Sequence, residues 1–317
     1  MQQNCIVKHI HPNILNYPMM RQNLEAFEKY LLLEKKYSLH TVKAYIDDIK
    51  TFQNFVLTTF EEATLEQINY NQIRTWIVTL VDKGLSSRSV NRKMSSLKAF
   101  YRFLMKIGQI LEDPFIKHRA LKTPKKIQIP FSEQEMTKVL SENIYTIDFE
   151  GVRNQLIIDL LYTTGMRRSE LISLELQNVN LHQEILKVKG KRNKERLIPI
   201  LPIIKKEIEK YLAERSNLEV IKDKDYFFLL KNGNKLNETF VYRLINDYFS
   251  LVSAKVKKSP HMIRHTFATH LLNNGATLNS VKELLGHSSL ASTQVYTHNS
   301  VATLKKVYAK AHPRSLK

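Results

Sequence analysis

Between residues 114 and 130 the chain carries Pro114, Pro124 and Pro130 together with Lys117, Arg119, Lys122, Lys125 and Lys126, and no acidic residue. Proline fixes φ and removes a backbone donor, so a stretch punctuated in this way is neither helix interior nor central strand. It reads as an extended basic linker, and it obliges the chain to fold as two halves. In a chain of 317 residues each half is long enough to bury its own core. Lys122, Lys125 and Lys126 are also candidates for phosphate contacts, because cations without a counter-charge favour a polyanion.

Upstream of the linker the apolar spacing is helical. Leu24, Phe27, Leu31 and Leu32 begin one stripe, and Val42, Tyr45, Ile46, Ile49, Phe52, Phe55 and Val56 form a longer one with Ser38 as N-cap. A third helix is predicted through Ile73, Trp76, Ile77 and Leu80, ending near Gly84. Ser86 or Ser87 caps a fourth, whose stripe is Val90, Met94, Leu97, Tyr101 and Leu104. Its opposite face carries Arg88, Arg92, Lys93 and Lys98, either a solvated basic face or a surface for a DNA groove or backbone. Residues 20–113 therefore read as a four-helix domain. Residues 1–19, with His9, His11, Pro12 and Pro18 and no sustained periodicity, read as a loose arm.

Downstream, Ser132 with Glu135 makes a capping box, and a helix from about Arg153 to Thr164 stops at Gly165. The pattern then changes. Ile185–Lys189 and Arg196–Ile200 read as strands joined by a polar turn, with Tyr226–Leu230 as a third strand. Helical spacing returns from Phe240 onward. Residues 131–317 are thus expected to be α+β, helices with a small antiparallel sheet, in a protein that is mainly α.

The formal charge of +19 narrows the partners. A chain this basic pairs with a polyanion, nucleic acid or an anionic membrane surface. No apolar run approaches the roughly 20 residues of a membrane span, and there is no signal-peptide core. A single cysteine, Cys5, leaves no intramolecular disulfide and no cysteine-based zinc site. These features fit a cytoplasmic protein acting on nucleic acid, with no membrane partner.

Taken singly, the polar clusters are weak. His261 and His265 have the i, i+4 spacing of some metal sites, but Arg264 lies between them and no Glu follows His261. His265 and His270 sit among Phe267, Leu271 and Leu272 and read as core or supporting histidines. Gly165-Met166-Arg167-Arg168-Ser169-Glu170 could be a helix end with a solvated turn, Lys191 one more surface lysine, and Tyr296 one tyrosine among 14. In order, however, the clusters form a series. The run from Leu161 through Arg167 and Glu170 comes first, then Val188-Lys189-Gly190-Lys191 and on to Arg196, then His261-Met262-Ile263-Arg264-His265. Leu284-Leu285-Gly286-His287 follows, and Tyr296 stands nine residues after His287. This series closely resembles the tyrosine recombinase (phage integrase) family, its Xer branch in particular. Tyr37 to Tyr45 also resembles the core-binding, SAM-like domain of that family, so the similarity runs from about residue 20 onward.

The resemblance implies roles that phosphodiester chemistry supports separately. Arg167 and Arg264 would grip non-bridging oxygens with guanidinium forks and neutralise charge that grows in the transition state. Tyr296 would be the nucleophile, leaving a 3′-phosphotyrosine; its free pKa of about 10 requires a base and a cationic pocket. His261 would be that base, His287 would donate to the phosphate, and Lys191 would protonate the departing 5′-oxygen. Glu170, on the same helical side as Arg167, would orient His261 or the arginine. Cationic side chains would supply the charge that many nucleases take from Mg²⁺, so the resemblance implies no metal and no cofactor.

It also implies double-stranded DNA with a specific site as substrate, closed in a clamp between the two domains. Four protomers would act on two such sites, as a homo-tetramer or with a second Xer recombinase, and an FtsK-type translocase would activate them. The expected task is resolution of chromosome dimers at cell division. The tail from Val301, with Leu304, Val307 and Tyr308 on one face, would dock on a neighbouring protomer. A phage or mobile-element integrase shares the chemistry, although only about twenty residues precede the first core helix. A type IB topoisomerase shares the catalytic logic. A DNA-binding factor with a silent site is the rival from another class.

Overall fold

The computed structural model describes residues 18–61, 64–124, 128–190, 195–286, 308 and 310–315. The chain divides into two compact units, Met1–Lys126 and Ile127–Lys317.

The first unit is four helices, α1 (Pro18–Lys29), α2 (Leu39–Phe60), α3 (Tyr70–Asp82) and α4 (Ser87–Lys106), with α1 running on into a π-helical turn over Tyr30–Glu34. Local chemistry starts each of the last three. The Ser38 hydroxyl accepts from the Thr41 amide and the Ser86 hydroxyl from the Ser89 amide, while Asn69 and Gln72 form a reciprocal capping box. The apolar stripes meet in a core around Phe27, Ile49, Phe52, Trp76, Leu97 and Phe100. Within the stretch expected to be extended, residues 114–117 form a turn and Phe115 is buried in this same core. Most of the arm expected over residues 1–19 lies outside the described residues.

Part of the basic face of α4 departs from expectation. Asp48 on α2 is buried, and it accepts from both Nη atoms of Arg92 at 2.7 and 2.9 Å, from Lys93 Nζ at 2.8 Å and from Ser96 Oγ at 2.8 Å. Lys93 is therefore turned onto Asp48 and away from the outer surface, while Arg92 keeps half its side chain exposed. Burial alone would raise the Asp48 carboxyl, but its bonds to Lys93, Arg92 and Ser96 outweigh that and hold it below its ordinary value. Asp48→Ala leaves the half-buried ammonium uncompensated, and we expect the first unit to lose roughly 3 kcal/mol. Trp76, the single tryptophan, lies in this core, so its fluorescence in a denaturant titration reads that unit. An unchanged midpoint would show that water already compensates the pair.

The second unit begins with α5 (Glu133–Val139), opened by the Ser132–Glu135 capping box, and is built around α6 (Phe149–Thr164). Nearly every residue of α6 is buried, as expected of a helix packed on all sides. The short α7 (Arg168–Ile172) follows, then strands β1 (Val179–Asn180), β2 (Ile185–Lys189) and β3 (Glu195–Pro199) in an antiparallel sheet of order β1-β2-β3. Helices α8 (Pro202–Ser216), α9 (Glu238–Val252), α10 (Pro260–Asn273) and α11 (Leu278–Leu285) complete it.

Two expectations are corrected here. Tyr226–Leu230 is not a strand; it makes only isolated bridges, Glu175 with Tyr226 and Leu229 with Lys235, and the third strand is β1. Phe227, Phe228 and Leu229 are buried consecutively, so the segment threads the core without offering the alternating faces of a sheet edge. Tyr308 of the tail is the second correction. Tyr308 does not wait for a neighbour: its ring is buried in its own unit, and its hydroxyl donates to the Thr163 carbonyl. Arg314 pairs with the buried Asp159 and His312 packs against Tyr162, so the last described turn is held against α6. Residues 301–307 lie outside the described set.

Candidate active site

Gly165 ends α6 with φ of +59°, and a Cβ there would stand 2.4 Å from the Phe267 ring. Only glycine serves, both for the left-handed backbone and for the close approach of α10. The chain then turns so that Arg167 is the N-cap of α7, and Glu170 reaches back to it. The Glu170 carboxylate accepts from the Arg167 amide at 2.7 Å and from Arg167 Nη1 at 2.7 Å. The expectation that Glu170 orients His261 or the arginine resolves to the arginine.

Glu170 has a second cation that sequence reading did not single out. Arg196 on β3 meets it in a parallel fork, Nη1 to Oε1 at 2.9 Å and Nη2 to Oε2 at 2.8 Å. The available signal was strand alternation. Arg196 shares the inward face of β3 with Ile198, and an arginine at a core position of a hairpin strand demands a buried partner. Burial alone would raise the Glu170 carboxyl, but Arg196 first and Arg167 second outweigh it and hold it at about 2.

Arg264 arrives from α10. Its Nη1 donates to the Gly165 carbonyl at 2.5 Å and its Nη2 to the Leu285 carbonyl at 2.7 Å. A guanidinium has five N–H donors, so three remain. Burial, then repulsion from Arg167 and Arg196, lowers Arg264 to about 10, which leaves it charged at neutral pH. One carboxylate thus stands among three arginines and is bonded to two of them, Arg167 and Arg196. Positive charge is left in excess, and among the described residues Arg167 and Arg264 keep further N–H donors, which suits an anion of phosphate type.

His261 sits in the first turn of the same α10, exposed. Partial burial and then the cations Arg168, Arg264, Lys257 and Arg167 lower it below its ordinary 6.5, so it is neutral, a proton acceptor, at physiological pH. His265 is exposed, with Nε2 at 3.1 Å from the Gln128 carbonyl; it is not the core residue its apolar neighbours suggested, because the helix turns it outward. His270 is buried against the Tyr162 hydroxyl at 2.9 Å, as expected. Among the described residues no group of His, Cys, Asp and Glu is placed to hold a metal ion. Nor is any helix of the described residues long and apolar enough to cross a membrane.

Lys191, His287 and Tyr296 lie outside the described residues, as do Lys125 and Lys126. The structure therefore brings together Arg167, Glu170 and Arg264, with His261 in the field of both arginines. Of the expected DNA-facing residues, Arg88 and Lys122 are exposed and Lys98 partly so.

Guanidinium charge in excess of carboxylate at the ends of buried helices suits a phosphate ligand. Comparison with known proteins makes this specific. The family model for the phage integrase family matches residues 131–303, and that for the phage integrase N-terminal SAM-like domain matches residues 24–108. Tyrosine recombinase XerC of Oceanobacillus iheyensis is 37% identical over 295 residues, covering 92% of this chain and 96% of its own length. That of Staphylococcus carnosus is 38% identical over 301 residues, covering 94% and 99%. Among solved structures, the Tn1549 transposon integrase in complex with transposon right end DNA has a TM-score of 0.66 at 18% identity, covering 89% of this chain and 98% of that one. The XerH site-specific recombinase bound to palindromic difH substrate, a post-cleavage complex, has a TM-score of 0.65 at 21% identity, covering 92% and 82%. At such identities the two structures show the fold alone. The chain belongs to the phage integrase family, as a tyrosine recombinase of the Xer type. It is a DNA-binding enzyme of site-specific recombination.

Proposed function

We propose that Tyr296 attacks a scissile phosphodiester held by Arg167 and Arg264, in Xer-type resolution of chromosome dimers at cell division. The observation that carries this reading is the charge imbalance around Glu170, where two guanidinium groups keep N–H donors that no described residue takes. The phenolic oxygen forms a bond to phosphorus as the bond to the 5′-oxygen breaks. The Tyr296 proton passes to His261, whose neutrality makes it a base, and Lys191 supplies a proton to the departing 5′-oxygen. His287 donates a hydrogen bond to the phosphate. The phosphotyrosine conserves the bond, so a 5′-hydroxyl from a second duplex reverses the step and exchanges strands. Arg88, Arg92, Lys98, Lys122, Lys125 and Lys126 add contacts along the DNA backbone. Four protomers act on two sites in the cytoplasm, alone or with a second Xer recombinase, under an FtsK-type translocase. Similarity to XerC proteins over nearly the whole chain favours this task over mobile-element integration.

The test is a nicked suicide duplex carrying the cognate site, incubated in EDTA with wild type and with Tyr296→Phe. We expect a denaturation-resistant protein–DNA adduct with wild type and none with the variant. Specific binding without an adduct, even after a partner recombinase is added, would leave a DNA-binding factor with a silent site.

The role of His261 has its own expected result. A base must be unprotonated, so adduct formation falls as pH drops through the His261 pKa, and this acid limb lies below 6.5. Arg168 is the first of the charges that depress it, and its own partner is the exposed Glu238. Arg168→Ala removes that repulsion, raises the His261 pKa and moves the acid limb to higher pH. A limb that stays in place would count against His261 as the base.

A further inference from the structure

Arg196 does more than neutralise a carboxylate. While both its Nη atoms hold Glu170, its Nε donates to the Leu284 carbonyl at 2.9 Å. The next carbonyl, that of Leu285, is taken by Arg264. These are last-turn carbonyls of α11, groups that lack partners within their own helix and carry the negative end of its dipole. Two cations thus cap one helix end, and one of them, Arg196, also holds the carboxylate of Glu170. The contacts close a ring. Glu170 ties Arg196 to Arg167; Gly165, two residues before Arg167, accepts from Arg264; Arg264 and Arg196 hold adjacent carbonyls of α11. Gly286, with φ of +64°, permits the closure, since a Cβ there would stand 3.1 Å from Arg196 Cδ. In sequence, Gly286 immediately precedes His287.

We propose that Arg196 is a positioning residue for DNA cleavage, bridging Glu170 and the end of α11 so that Arg167 and Arg264 present one fixed geometry to the phosphate. The Arg196 side chain is 5% exposed, so the role assigned to it involves no contact with substrate. Only a planar fork with a third donor at Nε spans both partners; a lysine delivers one point of charge and satisfies one of them. The inference rests on the reading of Arg167 and Arg264 as the phosphate-binding pair. Contacts that orient a primary ligand are worth about 10- to 100-fold in activity when removed from comparable sites, and that is the range expected here.

The experiment compares full-length wild type, Arg196→Lys, Arg196→Ala and Arg264→Ala on the nicked suicide duplex. Single-turnover adduct formation is measured alongside site affinity by gel shift, well below the unfolding temperature. Arg196→Lys is expected to bind the site as wild type does and to cleave it roughly 10- to 100-fold more slowly. In Arg196→Ala, methylguanidinium is expected to restore cleavage and methylammonium is not, a distinction that loss of packing alone would not produce. Should the alanine variant fail to fold, the lysine variant decides the matter. Wild-type cleavage by Arg196→Lys, with Arg264→Ala slow, would overturn the role of Arg196 alone. Wild-type cleavage by Arg264→Ala would remove the phosphate-binding reading beneath it, and the proposal with it.

Discussion

Arg264→Ala is expected to cleave the nicked duplex at least about 10²-fold more slowly than wild type while binding the site normally, and Arg167→Ala likewise. The phosphodiester gains charge on its non-bridging oxygens as the nucleophile approaches, and a guanidinium held in place interacts more strongly with that state than with the ground state. Binding to the site depends on many backbone contacts spread over a protein of charge +19, so one arginine contributes little to affinity. Arg264 is fixed before DNA arrives, by the carbonyls of Gly165 and Leu285, and pays no reorganisation at the moment of reaction. Arg264→Lys keeps the charge but cannot hold both carbonyls and the phosphate, so it is expected to recover only a small part of the rate. Near-normal single-turnover cleavage by either alanine variant would remove the clamp from the mechanism.

Glu170→Ala should cost stability as well as activity. Its carboxylate pairs with both Arg167 and Arg196, and removing it takes from the buried Arg196 guanidinium its counter-charge among the described residues. Breaking a buried pair from one side costs roughly 3–5 kcal/mol, more than the pair contributes over an apolar replacement, because a desolvated charge is left alone. The pH dependence has a definite sign. The folded-state pKa of about 2 lies below the ordinary 4.5, so the stabilisation is complete above 4.5 and disappears as pH falls toward 2. The separation corresponds to about 3 kcal/mol. Glu170→Gln keeps the shape and should flatten this part of the acid-unfolding curve while slowing cleavage. Unfolding curves for wild type and Glu170→Gln that coincide between roughly pH 5 and pH 2, the window of the expected change, would show that the network contributes nothing to stability.

Local chemistry was legible without coordinates. Ser38 and Ser132 cap the helices they were expected to cap, Ser86 is the cap of the two serines offered for α4, and Gly165 ends α6, because a cap is settled by residues three or four apart. Arg167 and Glu170 were readable as a pair for the same reason. Strands β2 and β3 followed from alternation, with β3 beginning at Glu195, one residue before the expected start.

Long-range partners were decided by tertiary structure. Arg92 and Lys93 looked like an outward basic face, and Asp48, 44 and 45 residues away, takes both. Arg196 reads only as the start of a strand, yet its partners stand 26 and 88 residues from it. Tyr308 reads as part of a tail face that docks on a neighbouring protomer, and the Thr163 carbonyl that receives it is 145 residues earlier in its own chain. Sequence by itself determined the four helices of the first half, several caps, the α+β character of the second half and the order of the catalytic candidates, all of which depend on spacing along the chain. Which charges cancel and which stay free for a phosphate depended on packing, since the strength of an ion pair is set by burial and distance, neither of which spacing specifies.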